Sequence, residues 1–122
     1  MFELTSDEAR LLLNVAMMAI GGNRFQTAGT ILAALERYRP DEESLASACA
    51  LLLLNAQEFQ RAVDFIDRVG LVKFPNSGML QAFKGIAYLR MDKLNEASEP
   101  LKIAAEQTTD KAAAQLAKDL LK

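Results

Sequence analysis

This chain of 122 residues repeats itself. The run Gly22-Asn23-Arg24-Phe25-Gln26-Thr27-Ala28 returns as Asn55-Ala56-Gln57-Glu58-Phe59-Gln60-Arg61-Ala62, with Phe25 and Phe59, and Ala28 and Ala62, each 34 apart. A third copy, Met91-Asp92-Lys93-Leu94-Asn95-Glu96-Ala97, puts Leu94 and Ala97 35 residues beyond Phe59 and Ala62. Pro40 and Pro75 are also 35 apart. A period of this length marks one supersecondary unit that buries its apolar face against its neighbours.

Composition and punctuation make that unit helical. Hydrophobic residues are 51% of the chain, yet aromatics are 7% and Trp is absent, so Ala, Leu and Met supply the bulk. These are strong helix formers. Thr5-x-x-Glu8 reads as a capping box opening the first helix, and Gly21-Gly22-Asn23 ends it. Pro40-Asp41 separates two units, with Asp41 as N-cap of the next helix. Gly70 is expected to end the fourth helix, and Pro75-Asn76 to start the third unit. Pro100 falls inside the sixth helix and should remove a hydrogen bond and bend it. Thr108-Thr109-Asp110 can cap a last helix, Lys111–Leu121.

Several function classes are excluded early. With no His and one Cys, no His-dependent triad, His-ligated zinc site or intrachain disulfide can form. A net charge of −2 is poor for gripping nucleic-acid phosphates. The start, Met1-Phe2-Glu3-Leu4, has no basic region before an apolar stretch, so a signal peptide is not expected. The apolar windows Leu11–Gly22 and Ser44–Asn55 are shorter than the ~20 residues a membrane helix needs. Cys49, between Ala48 and Ala50, reads as a small buried hydrophobe in a reducing cytoplasm. Asp41-Glu42-Glu43, Asp64/Asp67 and Glu96/Glu99 are the acidic clusters, and the last two read as solvated helix faces. No catalytic, metal or cofactor site is expected.

The pattern resembles the tetratricopeptide (TPR) family. With that family's small residue placed on Ala28, Ala62 and Ala97, its other small position falls on Ala16, Ala50 and Gly85. Its later apolar position falls on Leu32, Ile66 and Leu101, and its repeat-ending Pro on Pro40. Two departures stand out: a usually large position is occupied by Leu12, Ala46 and Gln81, and only the first repeat ends in Pro at that position. The resemblance implies an all-α fold of three helix-turn-helix repeats (9–42, 43–77 and 78–109) and a cap helix (110–121). These would form a single domain, 1–122, wound as a short right-handed superhelix.

Charge divides between the two helices of each unit. Residues 11–22, 44–57 and 76–91 carry only Lys84 and Arg90, whereas 24–39, 58–69 and 92–106 carry fifteen charges. In TPR proteins the first helices line a concave groove. The resemblance therefore places Leu13, Met17, Ile20, Leu51, Leu54, Met79, Phe83, Ile86 and Leu89 as the partner-binding set. Such a face suits an amphipathic helix or extended apolar segment. The alternative TPR device, a basic clamp on a carboxylate, is poorly matched, because Arg10, Asn14, Asn55 and Arg90 are its scattered polar candidates.

Leu4-Thr5…Leu11-Leu12-Leu13-Asn14, then Gly21-Gly22, Ala28…Ile31-Leu32-Ala33-Ala34-Leu35 and Arg39-Pro40, looks similar to the small chaperones of bacterial type III secretion. The export-apparatus chaperone (YscY-type) is the nearer match and the needle-subunit co-chaperone (YscG-type) the second. The resemblance implies a cytoplasmic chaperone, linked to virulence, for a small secreted or self-assembling partner, with docking onto an export gate protein. A generic TPR scaffold in a stable complex is the competing expectation, and a homodimer that hides its own groove is a third. Nucleic acid, membrane insertion and enzyme activity are not expected.

Overall fold

The computed structural model describes residues 4–107 and 109–121. Every regular element among them is helical: α1 (Ser6–Gly21), α2 (Phe25–Tyr38), α3 (Glu43–Asn55), α4 (Phe59–Phe65), α5 (Leu71–Lys73), α6 (Gly78–Arg90), α7 (Leu94–Ala105) and α8 (Lys111–Leu121). A π-helical turn, Ile66–Gly70, joins α4 directly to α5. The all-α class expected from composition is the class observed.

The period is written into the backbone. Asn23, Gln57 and Asp92 have left-handed φ values of 61°, 62° and 60°. Each is followed by a residue in one shared conformation: Arg24 (φ −92°, ψ 68°), Glu58 (φ −97°, ψ 67°) and Lys93 (φ −100°, ψ 71°). In each turn the amide of the left-handed residue donates to the carbonyl three residues back, on Ile20, Leu54 or Leu89. Asn and Asp tolerate left-handed backbone better than Gln does.

Burial follows the same period. Ala16, Ala50 and Gly85 are buried before the turn, and Ala28, Ala62 and Ala97 after it. Leu32, Ile66 and Leu101 are buried one helical turn further on. Small residues let two helix backbones approach closely, and Gly85 is the extreme case. A Cβ there would stand 2.5 Å from Leu101, so the α6–α7 pair has no room even for alanine.

The chain divides into two compact units, one ending at Gln57 and the other starting at Glu58. In the first, α1, α2 and α3 pack mutually around Ala16, Ile20, Ala28, Leu32, Leu35 and Leu45. In the second, α6 and α7 form a close pair, α8 packs on both, and α4 packs on α6. Its core includes Ala82, Ala97, Leu101, Ala104 and Ala117. The seam lies inside the second repeat, because α3 finds its packing partners in α1 and α2 whereas α4 finds them in α6.

Local signals are met in part. The capping box is complete: the Glu8 amide donates to Thr5 Oγ1 (3.1 Å) and the Thr5 amide to Glu8 Oε1 (2.9 Å). These bonds hold the Glu8 carboxyl below its ordinary pKa. Ser77 caps α6 through the Leu80 amide. Asp110 Oδ1 accepts the Ala113 amide at the start of α8; Thr108 lies outside the described residues.

Two expectations are corrected. Glu42 rather than Asp41 is the N-cap of α3 and makes no side-chain cap bond; its carboxylate instead accepts from Arg39 (3.1 Å). Arg39 also donates to the Leu4 carbonyl and to Ser6 Oγ, tying the start of α1 to the α2–α3 connection. Gly70 does not end its helix. Its backbone is helical (φ −61°), and a Cβ there would meet Leu80 Cδ1 at 2.9 Å, so glycine serves close packing rather than termination. Pro100 lies inside α7, as the sequence placed it, and is buried. Proline removes one donor there without ending the helix.

Candidate partner-binding site

Each unit can be assessed by which of the expected apolar side chains it leaves reachable. In the first, α1 and α3 supply the candidates. Met17 is 38% exposed, and Leu13 and Leu51 are half-buried, resting on the α1–α2–α3 core. Ile20 and Leu54 are withdrawn from the set. Ile20 is 1% exposed and Leu54 6%, because both point the same way as the small residues that carry the packing. Leu13 also borders a cavity of about 260 Å³ with Ala9, Arg10, Leu35, Arg39 and Leu45.

In the second unit the candidates lie on α6. Met79, Phe83 and Ile86 are half-buried and follow i, i+4, i+7 spacing, which puts them on one helix face. Leu89 is partly turned inward against the α6–α7–α8 core. Ala82, between them in sequence, is fully buried.

The two charges of α6 are both occupied. Lys84 Nζ lies 2.8 Å from Asp67 Oδ1, and the lysine side chain is only 21% exposed. The Arg90 guanidinium sits 5.3 Å from the centroid of the Phe59 ring, within cation–π range. Asp67 therefore belongs to an ion pair rather than to a purely solvated face. Of the polar clamp candidates, Arg90 is committed to Phe59, and Arg10 pairs loosely with Asp7 at 3.9 Å. Along α3, no charged residue occurs from Ser44 to Asn55, and its half-buried positions are Ser47, Cys49 and the aliphatic Leu51, Leu52 and Leu53.

Cys49 is half-buried on α3, and its pKa is pushed up to about 11, first by burial and then by the nearby Glu36 carboxylate. A thiol in that setting stays protonated and is a poor nucleophile. Among the described residues, no group of three or more His, Cys, Asp or Glu could hold a metal ion. No helix among them is long and apolar enough to cross a membrane.

Sequence reasoning missed one surface. Leu11, Val15 and Met18 of α1 are 64%, 42% and 77% exposed, more open than any residue of the expected set. The available signal was the absence of charge over residues 11–22: a helix apolar all round needs cover all round. No protein-family model matches the chain, and no curated protein matches it.

Proposed function

We propose that this protein is a TPR-like chaperone of a type III secretion system. It acts in the cytoplasm and holds a small secreted or self-assembling partner by covering that partner's apolar helix. The reading is supported above all by the first-helix faces. They keep Leu13, Met17 and Leu51 in one unit, and Met79, Phe83 and Ile86 in the other, partly open to solvent. The charges nearby, Lys84 and Arg90, are engaged within the second unit. A surface of this chemistry offers apolar area at ~25 cal/mol/Å² and no charge complement for an acidic peptide. The recurrence of one turn geometry at Asn23, Gln57 and Asp92 supports the TPR-like repeat on which the reading depends. Met17, Met79 and their neighbours suit an irregular helical guest, because methionine adapts its shape.

The test is co-expression with the small exported proteins encoded beside this chain, followed by purification. The expected result is a one-to-one complex that releases its partner for export. Met17→Glu and Phe83→Glu should each weaken capture at least about tenfold while the helical circular-dichroism spectrum is kept. Normal capture by both folded variants would overturn the proposal. Leu54 is unsuitable for such a test, since an acid at that buried position would unfold the first unit.

A further inference from the structure

We propose that the cavity at the start of α1 is a binding site for a small organic carboxylate with a compact apolar body. The inference does not rest on the chaperone reading. The cavity holds about 260 Å³ and is walled by three helix ends: the first two turns of α1, the last turn of α2 and the first turn of α3. That volume lies just under the ~300 Å³ at which sites for drug-sized ligands begin, so the cavity suits a smaller molecule. Its floor is aliphatic. Leu35 and Leu45 are buried in the α1–α2–α3 core, and the half-buried Leu13 packs against them. An apolar body seated there extends a core that the protein has already built.

Charge on the rim selects the head group. Three lining residues carry formal charge: Arg10, Arg39 and Glu42. Arg39 and Glu42 satisfy each other at 3.1 Å, and Arg39 directs its other hydrogen bonds to the Leu4 carbonyl and Ser6 Oγ. Arg10 is placed differently. Its one ionic neighbour among the described residues is Asp7, at 3.9 Å, and the two side chains are 74% and 94% exposed. That separation exceeds hydrogen-bond length, and Asp7 does not line the cavity. Glu8, the other acid of this turn, accepts the Thr5 amide. Asp41 and Glu43 are exposed and lie outside the lining. The lining therefore carries one net positive charge, on a guanidinium with donors still to be matched, and Ser44 adds a hydroxyl to the same rim. A carboxylate is the planar acceptor that a guanidinium binds through two parallel hydrogen bonds. An inorganic anion would leave the aliphatic floor uncovered, and a neutral ligand would leave Arg10 without its acceptor.

Titration of the isotope-labelled full chain with 4-methylpentanoate, followed through backbone amide chemical shifts, tests this. Saturable shifts should gather on residues 6–13, 35–39 and 42–45. The neutral isostere 4-methylpentanamide should bind at least about tenfold more weakly, the worth of one charge-assisted hydrogen bond. Acetate, which lacks the apolar body, should also bind more weakly. Arg10→Gln should weaken the acid about tenfold and leave the spectrum of the free protein nearly unchanged, because that side chain is exposed. Leu13→Ala should weaken acid and amide alike. Shifts that stay linear in ligand, or that fall outside these three segments, would overturn the proposal. Equal binding of acid and amide, or of acid by wild type and Arg10→Gln, would overturn the carboxylate assignment.

Discussion

The two units contain the same helix-turn-helix element and finish it in opposite ways. The α6–α7 pair carries α8 on both helices, Lys84 pairs with Asp67 and Arg90 lies over Phe59, and its exposed large apolar side chains, Leu94 and Ile103, lie on α7. The α1–α2 pair packs on α3 but leaves Leu11, Val15 and Met18 open. In the first pair the exposed large aliphatic side chains lie on the first helix; in the second pair they lie on the second helix. Two copies of one local design therefore differ in which helix stays open, with the hairpin itself nearly constant.

That contrast can be broken most sharply at Gly85. Gly85→Ala forces a Cβ against Leu101 and should destabilise the second unit by about 1–3 kcal/mol, the usual range for overpacking. Hydrogen exchange should show the loss across α6, α7 and α8, with α1 and α2 keeping their protection; an equal loss in both units would dissolve the distinction.

A smaller effect, of opposite sign, is expected at the seam. Gln57 is the one left-handed turn residue that is neither Asn nor Asp. Gln57→Gly should stabilise the protein by about 0.5–1 kcal/mol by relieving that conformation, read from denaturant midpoints. No gain would mean that the turn between α3 and α4 holds Gln57 without strain.

A further effect concerns pH and belongs to the first unit alone. The Cys49 pKa is raised from 9.0 to about 11 in the folded chain. Its contribution is fully present below pH 9 and is lost as pH rises towards about 11, since the unfolded chain then releases its proton first. Stability should therefore fall across that window, and less steeply in Cys49→Ala. Identical slopes for the two proteins would remove the thiol from the account.

Much of the hairpin design was legible, because it depends on small residues at fixed spacing. Ala16, Ala28, Ala50, Ala62, Gly85 and Ala97 announce themselves in any self-comparison, and all are buried. The Thr5–Glu8 cap was legible for the same reason, being a purely local device. What escaped depends on distant partners. Ile20 and Leu54 cannot be told from Leu13 and Leu51 by residue type, since only the facing helix decides which side is covered. Gly70 resembles a terminator until Leu80 arrives from another helix. Asp67 reads as a solvent residue until Lys84 reaches it. The unit boundary was hidden as well, because periodicity groups α3 with α4 while packing assigns α3 to α1 and α2.

The π-helical turn at Ile66–Gly70 explains a small irregularity in the arithmetic. Asn23 and Gln57 are 34 residues apart, and Gln57 and Asp92 are 35 apart. A turn closed by an i→i+5 bond holds one residue more than an α-turn, and this one lies inside the longer interval. The surplus residue is looped into the helix wall, so Ala62 and Ala97 still occupy equivalent places on either side of it. Length variation is thus absorbed within a helix rather than in a connecting loop, and counting residues alone will misjudge the spacing of later units by one.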